Sequence, residues 1–165
     1  MNRKDKKRIS VQYATVRAGV PASPSFKRWA ALALAKIPGS VTVRVVDEEE
    51  SARLNRRYRG RSHATNVLAF AAASLADGSR PVLGDLAIAA PVVAREAAEQ
   101  RKEPRAHWAH LTIHGCLHLL GYDHTTDAER RTMEARERQL LAGLGYPDPY
   151  EIPVKRRGNE RRRTK

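Results

Sequence analysis

Between Pro104 and Gly121 the sequence PRAHWAHLTIHGCLHLLG can form one long helix whose side chains divide into two adjoining stripes. At 100° per residue, Ala106, Ala109, Ile113, Cys116, Leu117 and Leu120 fall within a stripe about 100° wide, enough for the core face of a globular helix. His107, His110, His114 and His118 form a second stripe about 80° wide beside it. Pro104 suits the first helical position and Gly121 the left-handed stop. A fold for this chain must bury the first stripe and give the second something to bind, because each imidazole carries a donor and an acceptor to satisfy.

The chain has six histidines in 165 residues, and four of them, His110, His114, His118 and His124, lie within fifteen positions. His114 and His118 are about 6 Å apart along the helix axis, so both rings can converge on one ion with metal–nitrogen bonds near 2.0–2.1 Å. His110 is about 12 Å from His118 along the axis and cannot share that ion. Gly121 ends the helix, and Tyr122 and Asp123 can carry the chain back to bring His124 to the first two rings. The spacing His-x3-His-x2-Gly-x2-His therefore predicts a metal held by His114, His118 and His124, with a fourth position open to water as in catalytic zinc sites. Three imidazoles also accept nickel, cobalt or copper, and zinc is preferred on availability. His110 is expected to support the site without binding the ion, and His107 to be exposed. Cys116 points about 160° away from His118 and is expected in the core.

Elsewhere the chain alternates strands and helices. Strands are expected at 9–16, 41–46, 65–72 and 83–90, the last two separated by the turn-rich ASLADGSRP. Helices are expected over SFKRWAALALAKI, ended by Pro38-Gly39; after Asp47, which pairs with Glu50 as a capping box; from Pro91 to about Glu103; over the histidine segment; and after Thr126, which pairs with Glu129 as a second box. The last helix carries Met133, Leu140, Leu141 and Leu144 on its apolar side. Four strands and about five helices predict one α+β domain over 9–150, its mixed sheet packed with helices and the metal site on a central helix and the turn after it.

The formal net charge is +13, of which residues 1–8 carry +4 and residues 151–165 carry +5. These ends are expected to be a basic N-terminal arm and a disordered basic C-terminal tail, whose charge serves either solubility or a salt-dependent attraction to polyanions. No window approaches eighteen apolar residues and the N-terminus MNRKDKKRIS is a charge run, so neither a membrane span nor a secretory signal is expected. The single cysteine excludes an internal disulfide and fits a reducing compartment, so a cytoplasmic protein is expected.

The metzincin protease pattern shares this ligand spacing but requires Glu after the first histidine as general base. Here that residue is Gly115. The segment HGCLHLLGYDH resembles instead the signature of the YbeY family of bacterial endoribonucleases, the rRNA maturation factors, His-Gly-x-Leu-His-Leu-x-Gly-Tyr-Asp-His, at every fixed position. LNRRYRGRSHATNVLAF and LGDLAIAAP resemble two further family segments in the same order, with Ala69 and Ala71 standing where the family has serine and proline. The resemblance spans about residues 40–147. It implies a zinc-dependent endoribonuclease that cleaves single-stranded RNA, acting on rRNA and ribosomal particles in 16S rRNA 3′-end maturation and ribosome quality control. It also implies a working arginine at Arg59 and a catalytic role for His114. A guanidinium beside the metal can hold a phosphate bidentately and stabilise the charge of a pentacoordinate transition state. Asp123 and Asp85 are candidate general bases by type; Asp123 can equally orient a ligand histidine and Asp85 can serve a strand end. Two other readings stay open: a zinc hydrolase of another substrate, such as a peptidase with its base outside the helix, and a non-catalytic assembly factor whose basic arms dock on ribosomal RNA.

Overall fold

The structure is a computed structural model and describes residues 8–73 and 81–152. The expected basic ends and the turn around residues 74–80 fall almost entirely outside the described residues. Nine elements follow in order: β1 (Arg8–Tyr13), α1 (Ser23–Leu34), β2 (Ser40–Val46), α2 (Glu48–Arg59), β3 (Val67–Ala71), β4 (Val82–Ala89), α3 (Ala90–Glu99), α4 (Pro104–Leu119) and α5 (Asp127–Gly143). The four strands form one mixed sheet in the order β1-β2-β4-β3. β1 and β4 both run parallel to β2, while β3 pairs antiparallel with β4, placing Val43 and Ala69 on either side of Leu86. The single α+β domain expected from the sequence is the one observed.

Strand alternation divides the core between the two faces of the sheet. Val41, Val43, Val45, Leu86 and Ile88 point to one face, where they join Phe26, Trp29 and Leu34 of α1 and the apolar residues of α4. Phe26 sits at the centre, edge-on to both Trp29 and Trp108 with ring centroids 5.6 Å apart in each pair. Each such fully buried side chain contributes about 1.5–3 kcal/mol of transfer free energy. Val46, Leu68, Ala87, Ala89 and Val92 build a smaller core on the other face, against Leu54 of α2.

Helix α4 is not the two-sided helix its apolar stripe suggests. From His107 to Leu119 every residue is buried except His114 and His118. Neighbours explain this: α4 packs on α1, β3 and β4, and α3 and α5 cover much of what remains. Gly115 is the point of closest approach to the sheet, because a Cβ there would lie 2.8 Å from a Leu86 methyl and 3.3 Å from Val67.

Two helix ends differ from expectation for local reasons. The Asp47 carboxylate accepts the Glu50 N–H at 2.8 Å, but the Glu50 carboxylate turns to Arg44 instead of back to the cap, so only half the box forms. Helix α3 stops at Glu99, short of Glu103, because Arg101 adopts φ 53° and Glu103 is taken up as the cap of α4, accepting the N–H groups of Arg105 and Ala106. The box at α5 is complete: Thr126 Oγ accepts the Glu129 N–H at 3.1 Å and Glu129 accepts the Thr126 N–H at 3.2 Å. Thr126→Ala should therefore destabilise the protein by about 1 kcal/mol in urea melts, with the loss of amide protection concentrated in the first turn of α5.

Candidate metal centre

The site is built by one helix and the turn that ends it. His114 and His118 lie one helical turn apart on α4, with Nε2 atoms 3.1 Å from each other. Leu120 caps the helix, Gly121 takes φ +95°, and the Tyr122 N–H closes on the Leu117 carbonyl at 3.0 Å, which reverses the chain. Such a φ is costly for any residue with a Cβ. The Asp123 carboxylate then accepts the His124 N–H at 2.7 Å and the Thr125 hydroxyl at 3.0 Å, and its Oδ1 lies 3.4 Å from the His124 ring. These contacts, the backbone one foremost, hold the Asp123 carboxyl below its ordinary range. Asp123 thus orders the turn that presents His124.

The three rings meet. Centroids are 4.7 Å apart for His114 and His118, 4.9 Å for His118 and His124, and 5.8 Å for His114 and His124. One nitrogen from each lies within 4.8 Å of the others. Burial, followed by the neighbouring His114 and His124, pushes the His118 pKa down. That keeps a ring lone pair available where two other imidazoles converge, which suits a cation better than a shared proton. The donor set and its spacing fit a divalent ion of zinc size. Cys116 is fully buried and takes no part, since burial pushes its thiol up to about 12.

Behind the triad lies a carboxylate that the sequence reading missed. Glu137 of α5 is 0% exposed, pairs one oxygen with His110 Nε2, and places the other 3.3 Å from His114 Nδ1. The Tyr150 hydroxyl donates to both oxygens at 3.0 and 3.1 Å. Burial alone would raise this carboxyl, but the hydrogen bonds from His110 and His114 outweigh it and hold it at about 2. Its signal was available, since Glu137 sits four residues from both Met133 and Leu141 on the apolar side of α5. An acid on a core stripe implies a buried partner. His110, His114 and Glu137 also form a possible ligand group, but through the other nitrogen of His114, and hydrogen bonds already pair these atoms.

His110 stays out of the three-ring cluster and pairs with Glu137. His107, expected to be exposed, is buried: it is 4% exposed, with Nε2 3.1 Å from Glu96, which also accepts both contacts from the Asn66 amide. Helix α3 covers that end of the stripe, and a single-helix projection could not show it. Arg59 is exposed at the end of α2, and its side chain makes no hydrogen bond or ion pair with a described residue. Its neighbour Tyr58 packs on Phe70 of the edge strand β3 at 4.9 Å. Asp85 lies across the sheet from α4, in a recess with Thr42, Arg44, Tyr58 and Phe70, and is not brought to the histidines.

The sequence profile described as Endoribonuclease YbeY matches residues 5–145. The chain belongs to the YbeY family of endoribonucleases. It is 54% identical over 149 residues to the Endoribonuclease YbeY of Xanthomonas axonopodis pv. citri, covering 86% of this chain and 92% of that one. Against the Endoribonuclease YbeY of Stutzerimonas stutzeri the identity is 56% over 146 residues, covering 86% and 90%. The solution structure of TM1509 from Thermotoga maritima superposes with a TM-score of 0.58 at 24% identity, over 92% of this chain and all of that one, so the two share a fold. Gly115 is the family's second signature position, and its packing against Leu86 and Val67 explains why no side chain stands there.

Acid should destabilise the metal-free protein in two steps. His107, chiefly through burial, and His118 are held below the ordinary 6.5. The unfolded chain therefore takes up more protons below that pH, and their contribution is complete above about 6.5 and lost as pH falls. Glu137 acts in a lower window, its contribution complete above 4.5 and lost towards about 2. Urea midpoints should hold from pH 7.5 to about 6.5 and fall from there to pH 3, and His107→Gln should flatten the slope between pH 6.5 and 5.

Proposed function

We propose that this chain is a zinc-dependent endoribonuclease that cleaves single-stranded RNA in the cytoplasm, acting in 16S rRNA 3′-end maturation and ribosome quality control. The observation that carries the metal-dependent reading is the convergence of His114, His118 and His124, the first two being the only half-buried residues in the otherwise buried run from His107 to Leu119. Membership of the YbeY family supplies the reaction class. Among the described residues no helix is long and apolar enough to cross a membrane.

His114, His118 and His124 hold the ion, and Asp123 holds the turn that delivers His124. A divalent cation at this place supplies Lewis acidity towards a phosphoryl oxygen and lowers the pKa of water enough to make a nucleophile at neutral pH. Arg59 is free among the described residues to grip a phosphate with two parallel N–H bonds, and its charge offsets the negative charge that grows during displacement. The excess of basic residues raises the encounter rate with a polyanion. Against a peptidase of the metzincin kind stands Gly115: the position of that class's general base is pressed against Leu86 and Val67 and has no room for a carboxylate.

Elemental analysis and cleavage of an unstructured RNA separate the roles. His114→Ala should lose both zinc and cleavage. Arg59→Ala should keep zinc and lose cleavage by about 10²–10³-fold, the scale for one charge-stabilising donor. An Arg59→Ala protein that cleaves at the normal rate refutes the phosphate clamp, and hydrolysis of casein but not RNA refutes the substrate class. Cleavage at limiting substrate should also fall steeply between 50 and 200 mM salt, at roughly the scale of several released counterions.

A further inference from the structure

We propose that Glu137 is the positioning residue of the metal centre, fixing which nitrogen of His114 faces the ion, and that Tyr150 of the carboxyl-terminal segment holds Glu137 in that pose. The inference rests on the three-histidine metal site and adds a dependence on residues outside it.

Glu137 is wholly buried on the apolar side of α5, beside Met133, Leu140 and Leu141, yet its partners are two imidazoles and a phenol, with no lysine or arginine among them. An apolar side chain of similar volume would fill the space without the cost of burying a charge. Its placement gives it a use. His114 Nε2 faces His118 Nε2 at 3.1 Å, and must carry a lone pair to bind an ion there. The ring proton then belongs on Nδ1, which lies 3.3 Å from a Glu137 oxygen. A carboxylate on the far nitrogen of a metal-binding imidazole fixes its tautomer and ring angle.

The second oxygen is occupied by His110, whose Nδ1 has no partner among the described residues. With its proton on Nε2, His110 donates to Glu137 and leaves only a lone pair unsatisfied. Tyr150 completes the set by donating across both oxygens, so the carboxylate takes three donors and cannot swing towards the ion. Tyr150 lies past residue 145, where the family match ends. It is fastened from α5: Arg138 pairs with Asp148 at 2.9 Å, stands 5.0 Å over the Tyr150 ring, and Asp148 accepts the Tyr150 N–H at 2.9 Å. A segment beyond the matched part of the chain thereby takes part in holding a ligand histidine.

The experiment uses the full chain. Zinc affinity is measured by competition with a chromophoric chelator, and the tautomer of His114 by long-range ¹H–¹⁵N spectra of the metal-free protein. His114 should carry its proton on Nδ1 in the wild type. Glu137→Gln keeps the shape but leaves one acceptor for two imidazole donors, and should weaken zinc binding about 10–100-fold and mix the His114 tautomers. Tyr150→Phe keeps the ring under Arg138 and loses only the hydroxyl; it should weaken zinc by about tenfold or less, and it serves as the test if Glu137→Gln does not fold. Wild-type affinity in folded variants, or a metal-free His114 protonated on Nε2, overturns the positioning role while leaving the three-histidine site intact. A wild-type chain with no zinc affinity overturns the metal site itself, and the positioning role with it.

Discussion

The structure depends on burying a helix that carries four imidazoles. Apolar packing alone cannot achieve this, since each ring brings a donor and an acceptor that cost free energy when stranded out of water. The solution is to set a carboxylate from a neighbouring helix against each interior ring: Glu96 of α3 takes His107, and Glu137 of α5 takes His110 and reaches His114. Packing and polar pairing are then one arrangement, because the helices that exclude water from α4 also bring the acceptors. What remains uncovered, the nitrogens of His114 and His118 turned towards His124, is the group that could hold a metal ion.

This division also accounts for the glycines of the signature. Gly115 lets α4 approach Leu86 and Val67 without a side chain between them, and Gly121 lets the chain turn back within three residues so that His124 arrives beside His118. One serves close approach and the other a left-handed backbone. Neither contributes a functional group, yet both fix where the three ring nitrogens stand. The histidine cluster stands on α4 and its turn, while Arg59 stands exposed at the end of α2.

The four strands, the five helices and the meeting of His114, His118 and His124 were legible in the sequence because each rests on short-range regularity. Alternation in VTVRVV, the Thr126 and Glu129 pair, and the spacing of three histidines around one glycine are all confined to a few consecutive positions. The strand order β1-β2-β4-β3 and the burial of His107 were not legible, since both depend on what packs across a distance in the chain. Glu137 lies between these cases. Its position on the apolar side of α5 betrays a buried acid, but its partner could be identified only once α5 was laid against α4. The half-formed box at Asp47 shows the same limit, as Arg44 outcompetes the helix terminus for the Glu50 carboxylate.

X-ray absorption at the zinc edge of the metal-loaded protein tests the central claim most directly. Three imidazole nitrogens and one oxygen at about 2.0–2.1 Å, with the outer-shell scattering of three rings, are the expected coordination. A sulfur scatterer near 2.3 Å, or a first shell of oxygens without imidazole, would contradict it.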